Sequence, residues 1–463
     1  MNEKLTILVL LMLISNVLMV AVPIVRVSAS PSGLVYDASY NAHSTTAVTT
    51  TSASLMDDVQ ASSVFTLDSA RVVLVIYSAC NYHTAIEKTE IYAGKKLGID
   101  VDGSDVATIQ SSPFSDEYTN GGVVIWVGTL AAGSHTIKGR FGSNSAGDNV
   151  TINERRLTVA VFEGAAGDFR FVRSTTAVTT ASPSLVDDTQ ASFTFTSPSC
   201  KALILYSVCN YHGTTESPFG KRIAISTDSS DGLALGSSPY GSSYADSEFV
   251  AEIRSLTSGS HTIEGRFFSI DGSTVTISER QFAVLLFPSD LETDFVTSTT
   301  QVSVTGSTLS DDTQASVTRT IDAERYVLAI YCVGKRNVTS STMYGKKVGV
   351  KIDATDYGLN AQTPYGDTYA NTIAIQSDIV RLGNGTHTVI GRFANNLDGQ
   401  TAKVDDRQLC VLWWRSPTPT VVGGVILQVD KIRLLIPYAA LAVTVAAAIV
   451  AAKAATKKRT LRQ

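Results

Sequence analysis

Apolar residues along this chain fall into two patterns. In the first they form short unbroken runs: Val72–Tyr77, Ala202–Tyr206 and Tyr326–Tyr331, then Leu157–Phe162, Phe282–Phe287 and Leu409–Trp414. Runs of this length, rich in β-branched residues and bounded by polar ones, predict central strands. In the second pattern apolar and polar positions alternate, most clearly in a nine-residue stretch that occurs three times. It begins at Gly133 as Gly-Ser-His-Thr-Ile-Lys-Gly-Arg-Phe and returns at Gly259 and Gly385. His, Ile/Val, Gly and Phe are predicted on one strand face, with Thr, a variable residue and Arg on the other. His135, His261 and His387 are each 126 residues apart. A spacing that holds twice marks one domain written three times.

Each copy repeats the same order of elements. A Thr/Ser-rich opening ends in paired aspartates (Asp57-Asp58, Asp187-Asp188, Asp311-Asp312), and a Gln-Ala-Ser phrase follows. Next come the first apolar run and a Gly-Lys pair that introduces another strand (Gly94-Lys95, Gly220-Lys221, Gly345-Lys346). A turn region then holds Pro113, Pro239 and Pro364, each followed by an aromatic. One more strand, the nine-residue stretch and the second apolar run close the copy. Sustained helical periodicity is missing until the C-terminal segment. The fold class is therefore all-β: three tandem β-sandwich or jelly-roll domains at 30–165, 166–290 and 291–416. The linkers Glu163–Asp168, Pro288–Asp294 and Ser416–Thr420 are short, which predicts a semi-rigid rod.

The two ends place the body outside a membrane. Leu5–Val25 is almost wholly apolar, follows Lys4 and leads into Val27-Ser28-Ala29, the pattern of a signal peptide spanning 1–29. Leu434–Ala452 runs nineteen residues without a charge, enough for one transmembrane helix. The basic tail 453–463 is expected on the cytoplasmic side, leaving the ectodomain extracellular. Before that helix, in the linker 417–433 and at its start, stand Val422-Gly423-Gly424, Val429-Asp430-Lys431 and Leu434-Leu435-Ile436-Pro437-Tyr438. This approach resembles the C-terminal anchor of archaeal surface proteins, which implies an archaeal envelope. The phrase Leu-x-x-Gly-Ser-His-Thr-Ile-x-Gly-Arg-Phe, with Glu-Arg-Gln/Arg before the last strand, also resembles jelly-roll repeats of microbial and phage surface proteins. Those are akin to the tumour-necrosis-factor-like sandwich. The resemblance implies a fold and an exposed setting but no chemistry, and it leaves the oligomeric state open.

Charge narrows the partners. The formal net charge of -5 combines +5 on the last eleven residues and +1 on the first 29 with -11 on the body. An acidic body argues against nucleic acid, whose phosphates need clustered Lys and Arg. The predicted anchor makes the membrane a partner, and the resemblance to archaeal surface proteins implies surface-layer proteins or glycans as others.

The candidate chemistry is modest. His135, His261 and His387 share a face with Ile/Val and Phe, as hydrogen-bonded core histidines do. Arg140, Arg266 and Arg392 face the other way, and a hairpin pairing with Glu154, Glu279 and Asp406 is expected to register strands. Such exposed pairs stabilise by at most about 1 kcal/mol. The paired aspartates, with Asp102/Asp105, Asp228/Asp231 and Asp353/Asp356, are the oxygen-rich loops best suited to calcium. Turn capping competes for the same residues. The spacing matches no defined calcium loop, so no cofactor is expected. Cys80-Asn81-Tyr82-His83 and Cys209-Asn210-Tyr211-His212 are each half a zinc site with no second half. Cys332 and Cys410 could form a disulfide if their strands are neighbours. Asn149, Asn337 and Asn384 begin glycosylation sequons. Nucleophile elbow, phosphate loop, zincin and dinucleotide motifs are all missing. A non-enzymatic structural or adhesion protein follows, with a carbohydrate-binding array as the alternative. The latter would use Phe114, Tyr118, Tyr240, Tyr244, Tyr365 and Tyr369.

Overall fold

The computed structural model describes residues 33–83, 95–111, 119–143, 147, 149–212, 221–237, 245–270, 272–337, 346–362, 370–395 and 399–415. The signal segment, the span 434–452, the basic tail and the six aromatics Phe114, Tyr118, Tyr240, Tyr244, Tyr365 and Tyr369 lie outside them. Among the described residues no helix is long and apolar enough to cross a membrane.

Among the described residues the first repeat contains nine strands: β1 Val35–Ser44, β2 Val48–Thr50, β3 Met56–Leu67, β4 Arg71–His83, β5 Lys95–Val101, β6 Ser104–Ser111, β7 Thr119–Leu130, β8 Gly133–Ser143 and β9 Val150–Glu163. They form two antiparallel sheets. The outer sheet has the order β3-β8-β5-β6 and the inner one β1-β9-β4-β7, with β2 paired to β9. Repeats two and three reproduce both orders, the third exactly matching in its outer sheet and the second with β6 broken into Ser230–Asp231 and Leu235–Ser237. The alternating crossovers between the two sheets make each repeat a jelly roll.

The two patterns in the sequence sort onto the two sheets. On β8 the alternation places His135, Ile137, Gly139 and Phe141 in the core, while Thr136, Lys138 and Arg140 are partly exposed. The unbroken runs lie on β4 and β9, where Val72–Tyr77 are each at most 1 % exposed. One face of these inner strands packs into its own sandwich. The opposite face is covered by the other repeats.

That covering corrects the expectation of a rod. Strand β7 and its counterparts Ala245–Leu256 and Ala370–Gln376 pack against one another in all three pairings. Strand β6 lies on the β7 counterpart of repeat two, the broken β6 of repeat two lies on repeat three, and Thr355–Gln362 of repeat three lies on β7. This head-to-tail arrangement closes after three steps, so the repeats form a ring about a pseudo-threefold axis. The equivalent residues Phe162, Phe287 and Trp414 meet on that axis, with ring centroids 5.5, 5.7 and 6.1 Å apart. Short linkers are as compatible with a closed ring as with a rod. Burial of the second apolar face of each inner sheet decides between them.

Both ends of the ring leave at one pole. Tyr36, near the start of β1, stacks on Trp414 at 5.2 Å, one residue before the last strand ends at Arg415.

Candidate functional site

Three polar constellations recur in every repeat, and each is built by the strands just described. The deepest lies between the sheets. A register shift in β3 turns Asp58 inward, as it does Asp188 and Asp312, and all three side chains are fully buried. A second bulge in β9, where Glu154 takes φ 49°, brings Arg155 into the core beside it. Arg155 Nε stands 2.8 Å from Asp58 Oδ2, and the Arg280–Asp188 and Arg407–Asp312 pairs repeat this at 2.7 and 3.0 Å. Each arginine also donates to two main-chain carbonyls, Thr46 and Ile152 in the first repeat. Tyr77, Tyr206 and Tyr331 donate their hydroxyls to the same aspartates at 2.9, 2.7 and 2.6 Å. Burial and the neighbouring aspartate push these hydroxyls well above their ordinary range, so they stay donors.

Tyrosine explains a glycine in the nine-residue stretch. Its ring packs against Gly139, Gly265 and Gly391, where a Cβ would come within 2.4, 2.7 and 2.5 Å of ring carbons. Only a residue without a side chain fits beneath it.

The second constellation contains the histidines. His135 Nδ1 is 2.7 Å from Asp102 Oδ2, and Nε2 is 2.9 Å from the Ala131 carbonyl. His261 sits between Asp228 and the Thr257 carbonyl at 2.7 and 2.8 Å, and His387 between Asp353 and the Gly383 carbonyl at 2.8 and 2.9 Å. The other oxygen of each aspartate accepts the main-chain N–H of Thr136, Thr262 or Thr388. These aspartates close the β5–β6 turns at φ 52°, 51° and 54°, a left-handed conformation that Asp tolerates. The His–Asp contact is also found in hydrolytic triads, but here Nε2 is already spent on a carbonyl, so the ring has no valence left for a nucleophile.

The third constellation corrects the expected arginine pairing. Arg140, Arg266 and Arg392 bind not Glu154, Glu279 and Asp406 but the first aspartate of each pair and the one after the β5–β6 turn. The Nη1 atoms lie 2.7 Å from Asp105, Asp231 and Asp356, and the Nε atoms 3.1, 2.9 and 2.8 Å from Asp57, Asp187 and Asp311. The β9 bulge turns the three acids toward the adjacent repeat instead. Gln110 of repeat one donates to Glu279 of repeat two at 3.1 Å, and Arg222 of repeat two stands 3.6 Å from Asp406 of repeat three. Burial raises the Glu154 carboxyl, and Lys347 of repeat three offsets part of that.

The oxygen atoms once suited to calcium are therefore engaged by Arg, Tyr, His and main-chain N–H groups. Among the described residues no group of three or more His, Cys, Asp or Glu could hold a metal ion. The disulfide expectation also fails. The strands of Cys332 and Cys410 are neighbours, but the register sets Cys332 against Gln408 and Cys410 against Ile330. That diagonal, about 7–8 Å, exceeds the usual reach of a disulfide. All five cysteines are buried, and burial pushes the Cys209 thiol up to about 12, out of the reactive range. Asn149 and Asn384 are exposed, and Asn337 ends its strand.

Sequence reasoning did not single out Tyr77 or Arg155 and their counterparts. The available signal was their recurrence at matching places in all three copies. Their partnership depends on two bulges that bring β3, β4 and β9 together at one point.

No family model and no curated protein sequence matches the chain. Solved structures similar to it include N-glycanase F (PNGase F), at 10% identity and TM-score 0.29, covering 54% of this chain and 97% of that one. A triple jelly roll protein from an archaeal virus turret matches at 10% identity and TM-score 0.19, covering 83% and 97%. Tandem CBM51 modules of the family 98 glycoside hydrolase Sp3GH98 from Streptococcus pneumoniae match at 12% identity and TM-score 0.16, covering 50% and 83%. Scores this low carry no argument about activity. The jelly-roll assignment stands on the strand order itself.

Proposed function

We propose that this chain is a non-enzymatic cell-surface structural or adhesion protein, a single-chain trimer of jelly rolls held at an archaeal envelope by the span 434–452. The observation that carries this reading is how the thrice-repeated polar side chains are used. Aspartates, arginines, tyrosines and histidines that could have formed a reactive centre instead hold together the repeat that contains them. Repetition that maintains architecture in this way suits a scaffold. Surface-layer proteins or glycans are the partners this reading names, and exposed Asn149 and Asn384 would keep an attached glycan in water.

Labelling intact source cells with a membrane-impermeant amine reagent tests the proposal. The ring should be labelled before lysis, and deletion of 434–452 should move it from the membrane fraction to the medium. Labelling only after lysis would overturn the surface assignment. Retention of the deleted form on membranes would overturn the anchor.

A further inference from the structure

Each repeated histidine faces an oxygen at both ring nitrogens: an aspartate at Nδ1 and a main-chain carbonyl at Nε2, all between 2.7 and 2.9 Å. A neutral imidazole carries one N–H and would turn a lone pair toward one of these oxygens. The imidazolium donates to both. The geometry appears three times with three different carbonyl acceptors, from Ala131, Thr257 and Gly383, so it is not an accident of one turn.

Other charged groups around the rings are already engaged. In the first repeat Asp100, in the same turn, accepts the Gly103 N–H, and the Phe65 ring lies beside His135. In the second, Phe195 lies beside His261, with the Arg170 guanidinium over that phenyl ring. In the third, Arg319 stands opposite His387 across the sheet but is tied to Asp294 and Glu292. The aspartate in the turn is thus the carboxylate that each ring meets directly.

The three pairs also share a location. Strand β8 starts beside the end of β3, and β4 begins beside Phe162 of β9, so the histidines lie at the pole where both chain ends leave the ring. We propose that the three His–Asp pairs form a proton-dependent lock on this pole. Charged, each histidine pins the β5–β6 turn of its repeat to the following β8 strand. Neutral, it can donate to only one of its two oxygens, and its hold on that turn weakens.

The direction of the pH effect follows from the contacts. Hydrogen bonding to Asp102 and Asp228 raises His135 and His261 above the ordinary value, against burial. At His387 burial pulls downward and is outweighed by Asp353 and the Gly383 carbonyl. For groups raised on folding, the stabilisation is complete below the unfolded value, near 6.5, and is lost as pH rises through the folded one. On the acid side, the hydrogen bond from His261 lowers Asp228. Burial acts upward on Asp102 and is outweighed by His135 and the Thr136 N–H. The lock therefore holds in mild acid and loosens as pH rises past the raised histidine values.

Long-range proton–nitrogen spectra of the full chain test the charge state directly. At about pH 6.5, the ordinary histidine value, His135, His261 and His387 should each be mostly in the form with two protonated ring nitrogens. His43, which burial and Arg156 pull downward, should be neutral and serves as an internal reference. A neutral pattern at any of the three overturns the proposal. Amide exchange tests the release. Between about pH 6 and pH 9 the Thr136, Thr262 and Thr388 amides should speed up by about tenfold more than base catalysis alone produces. Charged rings whose amides follow base catalysis alone would equally overturn it.

Discussion

The two sheets of each sandwich are made from strands of similar length and chemistry, yet they meet different surroundings. On outer strand β3 the pattern is interrupted: Asp58, Ala61, Phe65 and Leu67 are buried, and Met56, Val59 and Val64 are exposed. On inner strand β4 every residue from Val72 to Cys80 is buried. A strand with water on one face alternates, and a strand covered on both faces does not. The unbroken runs therefore marked a second covering layer. In this molecule the layer is the neighbouring repeats, which is why three copies make a ring.

The same comparison separates two kinds of arginine. Arg280, in the core between the sheets, has a side chain and an aspartate partner that are both fully buried. Arg266, on the outer sheet, is 20 % exposed with partners half in water. Arg280→Met should destabilise by about 3–5 kcal/mol, because it strands the Asp188 charge in the core. Arg266→Met should cost about 1 kcal/mol or less. Urea unfolding of both variants checks the contrast, and equal losses would break it.

Next in size is Gly265→Ala. The new Cβ would meet the Tyr206 ring at 2.7 Å, and overpacking of that kind costs about 1–3 kcal/mol. A thermal melt that matches the parent would show that the ring has room to move.

A pH effect sharpens the comparison on the inner sheet of repeat two. Burial raises the Glu252 carboxyl to about 7, with Arg254 drawing it part of the way back. An acid raised on folding adds stability that is complete below its unfolded value, near 4.5, and is lost as pH rises toward 7. The denaturant midpoint of the parent should fall across that window. Glu252→Gln should flatten that share of the slope, whereas an unchanged slope would exclude Glu252 as its source.

The smallest effect belongs to the exposed face. Val64 is 67 % exposed, and the residue in its place in repeat two, Thr194, shares a 3.0 Å hydrogen bond with Thr262 across the strands. Val64→Thr should recreate that pair with Thr136 and change stability by about 0.5 kcal/mol or less. A loss well above that would mean that Val64 is covered by something.

How much was legible differs between parts of the molecule. Strand positions and the inward face of the nine-residue stretch follow from periodicity, because a strand's side-chain period is fixed by its backbone. Arg140 illustrates the limit. Its outward face was readable, but its partners were not, since Glu154 follows it in the chain while Asp57 and Asp105 come from strands β8 pairs with or reaches across β5. Cys332 and Cys410 show the same thing: neighbouring strands could be guessed, but a register two residues off could not.

On its own the sequence determined that the body is β, that it is written three times, and which residues recur in each copy. Periodicity and repetition are properties of the chain, so they can be counted along it. Only the tertiary structure decided that the copies close into a ring, that Asp58, Arg155 and Tyr77 meet, and that each histidine lies between two oxygens. Those outcomes depend on bulges and on burial of a second sheet face, and both are set by contacts between segments far apart in the chain.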